Sequence, residues 1–257
     1  MVARKSIKLS DYVEYPFLIP TIYLDFNIAE DYVIVQSSMI IKPKPKEPSK
    51  LILQGNQIKL LSLSINGKEL RLGEYILSDQ DLVINSPPSS EFELKIKSKI
   101  YPFNNTSLEG LYLSSGMLTT QCEAEGFRRI CFHPDRPDVL SNYTVRIEAD
   151  KNQYPILLSN GNNKFSDNLN NNRHEIIWED PFPKPCYLFA LVAGNLSLVS
   201  DKYITNTGRL IDIKIYVDSG DEKYTQHAID SLKKSMKWDE EKYGLEYDLD
   251  EYKIVAV

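Results

Sequence analysis

The sequence has few of the residues from which reactive sites are usually built. Its three histidines, His133, His174 and His227, stand far apart with no His-x-x-x-His pair, and its three cysteines, Cys122, Cys131 and Cys186, show no Cys-x-x-Cys spacing. A metal site needs several convergent ligands, so none is expected within the chain itself. There is no glycine-rich phosphate loop, and Ser114-Ser115-Gly116 does not match a nucleophile elbow. No apolar run approaches the roughly 18 residues of a membrane-spanning helix, and the first ten residues lack a signal-peptide core. A formal net charge of -6 leaves no basic excess for general nucleic-acid binding. A cytoplasmic protein with reduced, buried thiols is expected, with neither a membrane nor a nucleic-acid partner.

What is present is sheet-forming sequence. The 257 residues can bury a sizeable core, and 16 tyrosines with many Val and Ile favour strands. Apolar and polar residues alternate over 11–28, interrupted at Pro16 and Pro20, and again over 32–41. Short strands are expected at 51–53, 58–65, 69–72, 75–77 and 81–84, with Asn66-Gly67 as a hairpin turn. Phe92, Leu94 and Ile96 alternate with charged residues, as in a half-exposed antiparallel strand. Further strands are expected at 111–113, 117–119, 143–149, 155–159, 174–178, 186–193 and 210–217, with another beginning at Tyr203. Lys42 to Pro48 reads as an extended connector, 162–173 as an asparagine-rich tip or loop, and 180–185 as a rigid, non-regular segment.

The pattern then changes. Tyr224, Ala228, Leu232 and Met236 recur every four residues, with Ile229 on the same face. Ser219 and Glu222 fit a capping box, and Gly244 fits a helix stop. A strand over 252–257 follows. The last 40 residues thus read as strand, helix, strand, the opening of an α/β unit. The pattern stops in mid-run at Val257, as expected of a chain cut from a longer one.

Between the two halves lies the stretch from Leu118 to Ile130. If it is extended, Gln121, Glu123 and Glu125 share one face and Cys122 and Ala124 the other. Carboxylates with an amide suit a cationic group such as an amine, or a metal. The alternative is a polar edge strand paired with its own arginines, Arg128 and Arg129. A spacing of about 7 Å between residues two apart would also permit glycosidase chemistry, but nothing else in the sequence suits a sugar.

Thr120-Gln121-Cys122-Glu123-Ala124-Glu125-Gly126-Phe127-Arg128-Arg129-Ile130 resembles the substrate-anchoring strand of the zinc aminopeptidase N family, in its bacterial branch. Asp135 to Leu140, Leu188 to Gly194, Ser231 to Glu240, Gly244 to Asp250 and Ile254 to Val257 continue the resemblance in register; it is weakest before residue 100. It implies a mainly β fold: a saddle-shaped, multi-stranded β domain over 1–195, then a truncated start of a thermolysin-like α/β catalytic domain over 196–257. Gln121 and Glu123 match residues lining the S1 side of the substrate site, and Glu123 matches a carboxylate that grips the free α-ammonium of a peptide. The family pattern gives no such role to Glu125, Arg128 or Arg129, which are expected to be structural or supporting.

The family's Gly-Ala-Met-Glu-Asn and His-Glu-x-x-His motifs are absent, and with them the zinc ligands, the general base and the tyrosine that completes the site. The resemblance therefore implies an N-terminal fragment of a zinc metallo-aminopeptidase, inactive alone, with no catalytic or metal residue and no cofactor of its own. Zinc is expected in the full-length enzyme. The expected partners are peptide N-termini and the remainder of the catalytic domain, and the expected state is a monomer. The rival expectation is a non-enzymatic β-rich interaction domain.

Overall fold

The computed structural model describes residues 8–44 and 50–256. An eight-stranded sheet dominates it, in the order Asn162–Asn168, Arg173–Pro185, Leu140–Asp150, Phe17–Ile28, Val33–Pro43, Phe92–Ile100, Lys59–Ile65, Lys68–Glu69. All neighbours are antiparallel except Phe17–Ile28 and Leu140–Asp150, which run parallel. Alternation explains these strands: Ile22, Leu24, Phe26 and Ile28 fall on one buried face, as do Phe92, Leu94 and Ile96.

A four-stranded antiparallel sheet, Ile156–Ser159, Leu191–Gly194, Met117–Gln121 and Gly110–Ser114, shares this core. Phe189 stands at the junction, stacked on Phe26 at 5.9 Å and edge-on to Phe127 at 5.3 Å. A smaller sheet, Leu51–Gln54, Asp81–Ile84 and Tyr75–Leu77, adds to the same cluster. The mainly β architecture expected from the sequence is the one observed.

A fourth sheet, of three strands, holds Ser197–Ile204, Leu210–Val217 and Glu251–Val255. The last two strands are parallel, and the helix Gln226–Tyr243 lies between them in sequence, a βαβ crossover. Ile211, Ile213, Ile215, Val217, Ile229 and Met236 form a second hydrophobic cluster. Tyr216 and Val255 instead pack into the larger one.

Several local expectations are corrected. The first strand runs through Pro20, with the register shift between Leu18 and Thr21 absorbing it. Asn162–Asn168 is a strand, illegible as one because it is a polar edge exposed on both faces. Only the tip behind it is irregular, where Asn171 and Asn172 take positive φ, which asparagine tolerates. Residues 180–185 stay in the strand Arg173–Pro185, with an irregular ladder between Ser141 and Tyr143 accommodating the prolines.

Cys186–Leu188 is a 3-10 turn ahead of Leu191–Gly194 rather than strand. The long helix starts after Thr225, not Ser219; Glu222 instead accepts the Gly220 N–H at 2.9 Å and opens a 3-10 turn. Tyr224 therefore lies outside the helix and is exposed. Gly244 ends the helix in the left-handed conformation, as expected. The expected connector from Lys42 to Pro48 lies partly outside the described residues, as do Val257 and the start of the chain.

Candidate functional site

Met117–Gln121 is positioned from both sides. It pairs with Gly110–Ser114 through a tight turn at Ser115 and Gly116, and with Leu191–Gly194 on its other edge. The Thr120 hydroxyl accepts the Leu191 N–H at 2.9 Å, extending that contact by one residue. The strand then ends at Gln121, so strict alternation does not carry through Glu125.

The cause is Gly126. Its N–H donates to the Cys122 carbonyl at 2.8 Å, and the 3-10 turn Phe127–Arg129 follows. A Cβ on Gly126 would lie 2.3 Å from the Gln121 carbonyl oxygen, so only glycine lets the chain fold back here. Cys122 is buried beneath the turn, but Ala124 is exposed with Glu123 and Glu125, contrary to the two-faced strand expected from the sequence.

Gln121 and Glu123 are brought together: the Gln121 side-chain amide donates to the Glu123 backbone carbonyl at 3.1 Å. Their side chains reach the surface. Glu125 is held differently, with its carboxylate 3.2 Å from Arg128 Nη2. Among the described residues Glu123 makes no ion pair. One turn thus carries one neutralised carboxylate and one available one.

Beneath it lies a set of contacts that sequence reasoning missed. Asp135 is buried, and its Oδ2 accepts both the backbone N–H and the Nε–H of Arg128, each at 3.0 Å. Its Oδ1 accepts from the Cys186 thiol at 3.2 Å. The Asp135 N–H donates to Gln54 Oε1 at 3.1 Å, and Gln54 forms a reciprocal backbone bridge with His133. Charge offered a partial signal, since Arg128 and Asp135 are only seven residues apart. Gln54 offered none, because it comes from a distant strand. Arg129 is also engaged, with Glu109 at 3.2 Å and Gln57 at 2.8 Å.

Cavities of about 600 and 310 Å³ flank Arg129, and neither is lined by Gln121 or Glu123. The two residues therefore form an open wall.

The remaining reactive side chains do not converge. His133 is fully buried, edge-on to Phe127, with Nδ1 3.0 Å from the Pro134 carbonyl. Burial pushes its pKa down to about 4. His174 Nε2 lies 2.7 Å from the Tyr154 carbonyl, and His227 is exposed on the helix. All three cysteines are free and buried, and burial pushes their thiols up, Cys131 to about 12. Among the described residues no group of three or more His, Cys, Asp or Glu side chains is arranged to hold a metal ion.

Comparison with known proteins gives this turn a context. Residues 19–188 match the Peptidase M1 N-terminal domain. The chain is 47% identical over 253 residues to aminopeptidase N of Caulobacter vibrioides, covering 98% of this chain and 29% of that protein. The solved structure of Legionella pneumophila aminopeptidase A in complex with aspartic acid superposes with a TM-score of 0.93 at 34% identity, over 98% of this chain and 30% of that one. An M1 zinc metallopeptidase of Deinococcus radiodurans, bound to a Tyr-Ser-Ala substrate, shares the fold at a TM-score of 0.77 and 15% identity, over 94% of this chain and 57% of that one. The chain spans about 30% of the length of the aminopeptidase N relatives it matches. Its sequence and its architecture agree: the chain belongs to the M1 peptidase family and carries that family's N-terminal domain.

Proposed function

We propose that this chain is the substrate-amine-recognising part of a zinc aminopeptidase, which releases N-terminal residues from peptides. The observation that carries the reading is the asymmetry of one turn: Glu125 is neutralised by Arg128, whereas Glu123 is exposed and without an ion pair among the described residues. A free α-ammonium is the complementary group. A charge-assisted hydrogen bond to Glu123 contributes roughly 1.5–3 kcal/mol, enough to fix which end of a peptide is presented but not to cleave it. Gln121, tied to the Glu123 backbone, lines the adjoining S1 wall.

Among the described residues the histidines and carboxylates do not fit a zinc site. The metal and the general base belong, in this reading, to residues of the longer protein beyond this stretch, and the chain alone is inactive. Division into a β domain over 1–195 and the first part of a catalytic domain over 196–257 is supported by the second hydrophobic cluster, built entirely from residues after 195. Three free, buried thiols support a reducing, cytoplasmic setting. The edges of the large sheet, one polar and one only two residues long, support a monomer, because neither invites pairing with a second copy. The rival reading as a non-enzymatic domain is not favoured, because the relatives that match nearly the whole chain are aminopeptidases.

The test is Glu123→Gln in the full-length protein, assayed on an alanyl chromogenic substrate. Loss of the charge-assisted bond should lower kcat/KM by about 10- to 100-fold. An unchanged kcat/KM would remove Glu123 from amine recognition.

A further inference from the structure

We propose that Arg128 is a positioning residue for amine recognition: it fixes the Glu123 turn by joining two carboxylates, Glu125 on the surface and Asp135 in the core. The inference rests on the amine-recognition reading above and assigns the residues that hold its geometry.

Arg128 is the only cation within hydrogen-bond reach of either carboxylate among the described residues, and it uses separate atoms for each. Nη2 faces Glu125 at 3.2 Å and Nε donates to Asp135 Oδ2 at 3.0 Å. The guanidinium is planar and its donors lie in a fixed fork, so binding both partners sets the direction of the side chain. Its backbone N–H reaches the same Asp135 oxygen, which pins main chain and side chain to one buried atom.

Asp135 is itself held by the Cys186 thiol and by Gln54, so two distant parts of the fold converge on it. The segment they anchor, Phe127–Arg129, immediately follows the turn that carries Glu123, and Gly126 closes that turn on Cys122.

Two effects of removing Arg128 oppose each other. Glu125 would gain freedom and add a negative charge near the ammonium, which favours binding. The turn would lose its anchor, which disfavours it. Glu125 is two-thirds exposed, so its charge is screened by water and its attraction is weak. Misplacement of a recognition group by about 1 Å costs up to a hundredfold, so loss of position wins.

The experiment is a double-mutant cycle in the full-length protein with an alanyl p-nitroanilide. Arg128→Gln should raise KM about tenfold with kcat within about twofold, and Arg128→Lys, which keeps the charge but not the fork, should raise it less. Combined with Glu123→Gln, Arg128→Gln should add less than about twofold, because its effect passes through Glu123. If Glu123→Gln alone leaves kcat/KM unchanged, the amine-recognition reading fails. If Glu123→Gln raises KM but Arg128→Gln does not, or the two rises multiply, only the positioning role is overturned. Should Arg128→Gln fail to fold, Arg128→Lys decides the same question: a KM equal to wild type overturns the role.

Discussion

Replacing Gly126 by alanine should destabilise the turn that carries Glu123 at its tightest point. The glycine has φ -84° and ψ -17°, which alanine adopts freely, so backbone preference is not at issue. The cost is steric. The added Cβ would lie 2.3 Å from the Gln121 carbonyl oxygen, 2.9 Å from the Gly110 nitrogen and 3.0 Å from Cys122 Cα, all backbone atoms that cannot swing aside. Overpacking of this kind costs about 1–3 kcal/mol. Without the clash, the smaller unfolded-state entropy of alanine would stabilise the fold by about 0.4–1 kcal/mol, so the two accounts differ in sign. For a chain of this size each kcal/mol moves Tm by about 2–4 °C, so Tm should fall by roughly 2–12 °C in a circular dichroism melt. A Gly126→Ala protein as stable as wild type, or more so, would refute the close-approach argument.

Two further outcomes follow from the buried groups. The free imidazole pKa of about 6.5 is lowered to about 4 at His133 by burial, so between these values the unfolded chain binds a proton that the folded chain does not. Stability should therefore fall as pH drops through that window, by up to about 3 kcal/mol at pH 4; an NMR titration showing an imidazole pKa near 6.5 would contradict it. The purified chain with added zinc should neither hydrolyse an alanyl chromogenic substrate nor bind zinc stoichiometrically, since no ligand set converges among the described residues; turnover that survives removal of contaminating peptidases would contradict this.

The fold was legible wherever one strand face is buried and the other is wet. The Phe17–Ile28 and Phe92–Ile100 strands show that alternation directly, and the Asn66-Gly67 turn appears with both residues at positive φ. The closing βαβ unit was legible from a change of period and from Gly244. What failed has one physical cause: tertiary contacts that carry no local pattern. Asn162–Asn168 is a strand only because Arg173–Pro185 offers it a partner. Gln121 ends its strand because Gly126 packs against it, which periodicity cannot register.

For the site, residue types and the family resemblance singled out Gln121 and Glu123, and the structure brings them together. The difference between Glu123 and Glu125 depends on Arg128 standing one turn away from Glu125, a spacing that matters only once the segment is known to coil. The Asp135 anchor depends on a loop returning beneath that turn.

The central claim is that Glu123, and not Glu125, receives the substrate ammonium. A crystal structure of the full-length protein with a bound free amino acid tests it most directly. The account predicts the ammonium nitrogen within about 2.7–3.2 Å of a Glu123 carboxylate oxygen, with Glu125 still on Arg128. An ammonium held by Glu125, or one lying more than about 5 Å from Glu123 and so beyond hydrogen-bond reach, would contradict it.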